Sequence, residues 1–114
     1  MADDNIVKLL IETSQKTYIH VVKLKLRFPC IIGRQSPDIS IPDSSISRKH
    51  CQLLVESKVL FIEDLGSSNG VDVNGAKVKR VRLRLDDHIK LGNTRIKVIQ
   101  ISLTAKKANK ASSF

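Results

Sequence analysis

Three segments of this chain alternate apolar and cationic residues one by one: Val22-Lys23-Leu24-Lys25-Leu26-Arg27, Arg80-Val81-Arg82-Leu83-Arg84-Leu85 and Arg95-Ile96-Lys97-Val98. A period of two puts every second side chain on one face of an extended strand, whereas a helix would scatter the same residues around its circumference. The pattern therefore predicts strands with one face on a core and the other in water, the usual condition of antiparallel strands. Shorter apolar runs at Lys8 to Ile11, Cys30 to Ile32, Cys51 to Val55, Val59 to Ile62 and Ile89 to Leu91 add candidates, several rich in Val and Ile. Pro29, Pro37 and Pro42 bracket strands, while Asn69-Gly70, Asn74-Gly75 and Gly92-Asn93 supply turn chemistry. With no helical pattern longer than two turns, many short strands at near-regular spacing predict an all-β sandwich or barrel.

A chain of 114 residues is one domain's worth and buries roughly two-thirds of its unfolded surface, so it needs neither metal nor disulfide to fold. The alternation fails at about Thr104. The expected organisation is a domain over 1–103 and a basic tail or start of a linker over 104–114, carrying Lys106, Lys107 and Lys110. A composition that is 41% hydrophobic and 27% charged argues against disorder. No apolar run approaches the roughly 20 residues of a spanning helix, and Met1-Ala2-Asp3-Asp4 is unlike a secretory leader. Cys30 and Cys51 form no ligand cluster and are too few for a disulfide framework. They are expected to be free thiols packed in a core, in a reducing compartment, cytoplasmic or nuclear.

Chemistry concentrates between Ile32 and Gly75, in three loops. Gly33-Arg34-Gln35-Ser36-Pro37-Asp38 carries a planar donor fork at the end of an apolar strand. Asp43-Ser44-Ser45-Ile46-Ser47-Arg48-Lys49-His50 combines hydroxyls with cations, and Gly66-Ser67-Ser68-Asn69-Gly70 is a Gly-rich turn with hydroxyl and amide side chains. In order and spacing, Gly33-Arg34, Ser47-Arg48-Lys49-His50, Asp64-Leu65-Gly66-Ser67-Ser68-Asn69-Gly70 and Val73-Asn74-Gly75 resemble the signature of the forkhead-associated (FHA) domain. The resemblance covers the chain from near Ile6 to near Ile101, and its motifs are specific together though not singly.

That resemblance implies a β-sandwich of eleven strands whose loops at one end bind phosphothreonine in a partner protein. Carried over by position, the phosphate-binding Arg and Ser fall on Arg34 and Ser47, with Arg48 as a further phosphate contact and Lys49 as an auxiliary. Ser68 stands at a position commonly Thr or Ser, and Asn69 at that of the amide holding the peptide backbone. Gly33, His50 and Gly70 match loop-shaping positions, and Asn74-Gly75 belongs to the same loop-structural set. The side chains themselves suit that chemistry. A phosphorylated side chain brings about −1.5 to −2 charge and three strong acceptors, which call for a guanidinium fork and hydroxyls converging on one point. An amide with donors and an acceptor can fix an extended peptide without reading its sequence. The expected function is therefore a non-catalytic module that makes an interaction depend on a Ser/Thr kinase, without cofactor or metal. It would recruit a phosphorylated partner or regulate a covalently attached effector, and its own terminus, phosphorylated at Thr104, or the exposed Thr13, could serve as ligand.

Competing assignments fare worse. Gly66-Ser67-Ser68-Asn69-Gly70 fits G-x-S-x-G, with Asp86, Asp87 and His88 following in hydrolase order, but Val71-Asp72-Val73 continues as a strand where a nucleophile elbow needs a helix. No Lys-Ser or Lys-Thr closes the glycine-rich segment as in a nucleotide loop. Asp86-Asp87-His88 is expected to be a polar turn, and His50, alone among ligand types, a structural hydrogen-bonder. The main alternative is a basic sandwich that binds nucleic acid, or a protein independently of phosphorylation, since the net charge is +9 and Lys77, Lys79, Arg80, Arg82 and Arg84 cluster. Strand alternation explains that stripe equally well, and stacking aromatics are scarce. A membrane-surface role for the tail is weaker, three lysines being few.

Overall fold

A computed structural model describes residues 5–24 and 29–103. Among them the chain forms eleven strands and no helix: β1 (Asn5–Glu12), β2 (Thr17–Leu24), β3 (Cys30–Gly33), β4 (Ile39–Ser40), β5 (Cys51–Glu56), β6 (Val59–Asp64), β7 (Val71–Val73), β8 (Ala76–Val78), β9 (Arg80–Arg82), β10 (His88–Leu91) and β11 (Thr94–Ser102). Six make a sheet in the order β2-β1-β11-β10-β7-β8, and five a second in the order β4-β3-β5-β6-β9. Every pairing is antiparallel except β3 with β4. The expected all-β sandwich of eleven strands is the observed one.

Period-two patterning positions the core. In β1, Val7, Leu9 and Ile11 are buried while Ile6, Lys8 and Leu10 are only partly covered. Ile96 and Val98 face inward beside them, and Ile32, Leu53 and Ile62 line the second sheet. Each such side chain contributes about 1.5–3 kcal/mol on leaving water, which holds the sheets together without a crosslink. Cys30 and Cys51 are buried free thiols. Burial, helped by the Asp38 charge, pushes the Cys30 thiol up to about 12. Burial also raises Cys51, with Asp64 and Cys30 adding to it. Both are neutral packing groups.

Several strands differ from expectation in extent. β1 is longer than Lys8 to Ile11, and its far end pairs Ile6 with Ser102 of β11. β2 begins at Thr17 and precedes most of the expected Val22–Arg27 strand, of which residues 25–27 lie outside the described residues. Its first half escapes detection because Ile19 and Val21 put apolar groups on the outward face. β11 continues to Ser102 through a bulge at Ile99, which breaks the alternation. The expected Arg80–Leu85 strand stops at Arg82. Asp87 turns the chain there, its carboxylate accepting the Arg84 N–H (2.7 Å) and its N–H donating to the Arg84 carbonyl (3.1 Å). Leu83 stays buried, but Leu85, expected inward, is 56% exposed. β4 and β8 are too short for a period to register. Thr13, a candidate phosphorylation site, is engaged in the β1–β2 turn, where its hydroxyl donates to the Lys16 carbonyl and accepts the Gln15 and Lys16 N–H groups. Thr104 and the expected tail lie outside the described residues.

Two hairpins show the turn chemistry working in opposite ways. Asn74 and Gly75, at φ 53° and 88°, join β7 to β8 with residues that tolerate the left-handed region. Between β5 and β6 the same region is forced on Ser57 and Lys58, at φ 52° and 64°. Side chains there cost roughly 1–2 kcal/mol per residue. The double substitution Ser57→Asn, Lys58→Gly should therefore raise stability by about 1 kcal/mol. Urea unfolding would show a higher midpoint with an unchanged slope.

Candidate functional site

Three loops leave the five-stranded sheet from one row. Ile32 of β3 pairs with Cys51 of β5, and Cys51 with Asp64 of β6. The segments after Ile32, before Cys51 and after Asp64 must then emerge side by side, and these are the three chemistry-bearing loops.

His50 welds them. It is fully buried, and its Nδ1 accepts the Ser47 N–H at 3.0 Å. That bond leaves the proton on Nε2, which lies 2.7 Å from the Gly70 carbonyl and donates to it. Its main chain completes the junction, with N–H to the Ile32 carbonyl (2.9 Å) and carbonyl from the Leu65 N–H (3.0 Å).

Gly33 brings the first and second loops into main-chain contact. A Cβ on it would lie 1.9 Å from the Arg48 carbonyl oxygen. With no side chain there, Arg34 N–H bonds the Ser47 carbonyl (3.0 Å) and Gln35 N–H the Arg48 carbonyl (3.3 Å). The Arg34 guanidinium is then aimed by its Nε, which donates to the Ile46 carbonyl at 3.1 Å. Four N–H groups of its fork remain for a ligand.

Arg34, Ser47, Arg48, Ser68 and Asn69, with Ser44 to Ile46, line one open cleft of about 330 Å³. Ser47 Oγ accepts the Ser68 N–H (3.1 Å), which leaves its own hydroxyl proton to donate. Asn69 Nδ2 donates to the Ser45 carbonyl (2.8 Å), so one N–H and Oδ1 are left for a visitor. Two guanidinium groups and no carboxylate line the walls, which suits a ligand of concentrated negative charge. Lys49, the expected auxiliary, is exposed and does not line the cleft. Gly70 closes the third loop through its N–H to Ser67 Oγ (2.9 Å). Asn74 and Gly75 sit at the other end of β7, where Asn74 bonds Asp87 and the His88 N–H.

Two contributors went unassigned in the sequence. Asp43 carries a hydrogen-bond set that ties the second loop to the β10–β11 turn: Ser45 N–H (2.9 Å), Ser45 hydroxyl and Thr94 hydroxyl (2.7 Å) all donate to it. The Asn93 N–H completes the tie on Ser45 Oγ (2.8 Å), while Gly92 is glycine because a Cβ would meet Ser45 Oγ at 2.2 Å. An Asp two residues before a Ser is an Asx-turn signal, so Asp43 was detectable in principle. Lys77, whose Nζ donates to the Asn69 carbonyl (3.0 Å), reaches the site only through β7–β8 pairing and has no local signal. Of the basic stripe, Arg80 is held by Glu56 and the Phe61 ring.

Fold and site together define a β-sandwich that carries a cationic, hydroxyl-lined cleft on the loops at one end. The FHA domain family model matches residues 30–92, and the chain belongs to that family. It is 39% identical over 67 residues to the FHA domain-containing protein FhaA of Mycobacterium tuberculosis, covering 58% of this chain and 13% of that protein. FhaB of the same organism is 32% identical over 72 residues, 61% of this chain and 46% of the relative. The chain thus spans less than half of either relative's length. Among solved structures, one from a study of phosphothreonine-dependent FHA domain interactions superposes with TM-score 0.71 at 33% identity, covering 86% of this chain and 99% of that one. The FhaA FHA domain complexed with the intracellular domain of Rv3910 gives 0.67 at 34% identity, covering 81% and 98%. No helix among the described residues is long and apolar enough to cross a membrane.

Gly33→Ala should lower stability by at least about 2 kcal/mol in chemical denaturation, because backbone rather than a flexible side chain must move. A pH series checks Asp43. Burial pushes its carboxyl up, but hydrogen bonds from Ser45, Thr94 and the Asn93 main chain outweigh this and hold it below its ordinary value. A depressed folded-state value means stability present above the unfolded carboxylate range and lost as pH falls through the folded value. Asp43→Asn should therefore flatten the acid limb of stability against pH relative to the parent.

Proposed function

We propose that this domain binds phosphothreonine in a partner protein, and so makes an interaction conditional on a Ser/Thr kinase. The observation that carries the reading is the convergence of Arg34, Ser47, Arg48 and Ser68 on one cleft free of carboxylates. Arg34, anchored at Nε, would present its remaining fork to the phosphate oxygens. The Ser47 hydroxyl would add a short donor, and Arg48 a second positive charge. Asn69 would bridge an N–H and a C=O of the extended peptide, fixing its direction. Because the loops are already cross-bonded by His50 and Asp43, little ordering remains to be done on binding, which favours affinity.

Likeness to FHA structures studied for phosphothreonine-dependent interactions, and to an FHA domain held against an intracellular partner domain, supports the same reading. Under it the domain is an interaction module working inside the cell, with no reaction of its own, that recruits a partner or regulates an effector joined to it. A chain of net charge +9 would gather acidic, phosphorylated partners faster at low salt.

Calorimetric titration with one peptide in phosphothreonine, phosphoserine and unmodified forms tests it. The phosphothreonine form should bind best and the unmodified form not measurably. Arg34→Ala should cost about 2–5 kcal/mol of binding free energy, as for truncating one partner of a desolvated charge pair. Equal affinity for all three forms would refute the proposal.

A further inference from the structure

Four strands bound the two sheets: β2 and β8 in one, β4 and β9 in the other. An open edge offers unpaired N–H and C=O groups to any extended chain, and natural sheets blunt such edges by shortness, proline or charge. Three of the four are blunted. β4 has two residues between Pro37 and Pro42, β8 has three with Lys77 among them, and β9 has three with Arg80 and Arg82. β2 is eight residues long, has no proline, and exposes Ile19 (57%) and Val21 (49%).

The phase of the hairpin says which main-chain groups are on offer. Thr13 N–H bonds the Lys16 carbonyl at 2.8 Å, so Thr13 and Lys16 form a hydrogen-bonded pair. Antiparallel ladders alternate, and the unbroken β1–β2 register then makes Tyr18, His20 and Val22 the residues bonded to β1. Thr17, Ile19, Val21 and Lys23 turn their N–H and C=O groups away from β1, where no other strand lies among the described residues. The outward main chain and the exposed apolar side chains therefore belong to the same residues.

The surroundings define the visitor. On the outer face Ile19 pairs with Leu10, Val21 with Lys8 and Lys23 with Ile6, and Lys97 of β11 pairs with Leu10. That is an apolar strip set among lysines. On the inner side a groove of about 520 Å³ lies between β2 and the neighbouring edge of the other sheet, with Val22, Pro29, Cys30 and Ile39 in its walls beside His20, Lys23 and Asp38. A second copy of this chain would bring +9 against +9, a repulsive encounter.

We propose that β2 is a second docking edge, which receives by strand addition an extended segment of a partner protein whose residues alternate between apolar and acidic. Main-chain bonds to Ile19, Val21 and Lys23 would give affinity. Apolar side chains would enter the groove, and acidic ones would lie over the lysine-rimmed face. This docking requires no phosphorylation and uses none of the cleft residues.

The probe is an end-blocked octapeptide of alternating Val and Glu, titrated into the isotope-labelled full chain by nuclear magnetic resonance, beside its Val and Lys counterpart. The Val and Glu peptide should shift the Ile19, Val21 and Lys23 amides and slow their hydrogen exchange, with the Lys counterpart at least tenfold weaker. Val21→Pro removes one outward donor while sparing the β1 ladder, and should abolish binding. Ile19→Glu, which leaves the backbone intact, should weaken it at least tenfold if the proline variant fails to fold. Unmoved β2 amides at millimolar peptide, or equal binding of both peptides, would overturn the proposal. Protection of β2 by concentration alone would overturn it in favour of a second copy, and β2 perturbation by anionic vesicles but not by the peptide would overturn it in favour of a membrane.

Discussion

One buried imidazole holds the cleft end of this molecule together. His50 accepts from Ser47, donates to Gly70, and uses its own main chain to reach Ile32 and Leu65. Buried polar groups left unpaired are costly, so a neutral ring bonded on both nitrogens fixes two loops that no hydrophobic contact could fix as sharply. Its placement follows from the sheet. It immediately precedes Cys51, in the register row shared by β3, β5 and β6, so the side chain enters where three loops leave. Loss of that ring would leave donors and acceptors facing one another across gaps.

The cleft is built largely of main chain, with side chains supplying charge. Gly33 and Gly92 let backbone pack against backbone or against Ser45 at separations that a single methyl would forbid. Asp43 then binds the second loop to the β10–β11 turn, so the six-stranded sheet braces a loop that lines the cleft. A carboxylate facing into the cleft would offset the charge of its two arginines. Here the Asp43 oxygens are turned into the loop, occupied by Ser45 and Thr94, and the cleft's own lining stays free of acid.

How much of this was legible depended on whether the signal was local. The strand class, the buried residues of β1, and the convergence of Arg34, Ser47, Ser68 and Asn69 could be read from alternation and motif order. Strand ends could not. Leu85 keeps the alternation yet is outside, because the Asp87 turn intervenes after Leu83. The first half of β2 was missed because Ile19 and Val21 are apolar on the wrong face, so the alternation that marks a half-buried strand is absent. Lys77 touches the third loop solely through pairing of distant residues, and Lys49 shares a motif with Arg48 but does not line the cleft. Ser57 and Lys58 give no turn signal, and neighbouring strands impose their conformation.

The pairing of Ile6 with Ser102 has an architectural meaning. β1 runs from there to Glu12, opposite Arg95, beside the turn that touches Ser45. Six residues of strand span about 20 Å, so the chain comes in and goes out as adjacent threads at the pole remote from the cleft. The first and last strands thus join the rest of the sequence at the end away from the mouth. A fold of this plan keeps its points of attachment and its cleft at opposite ends.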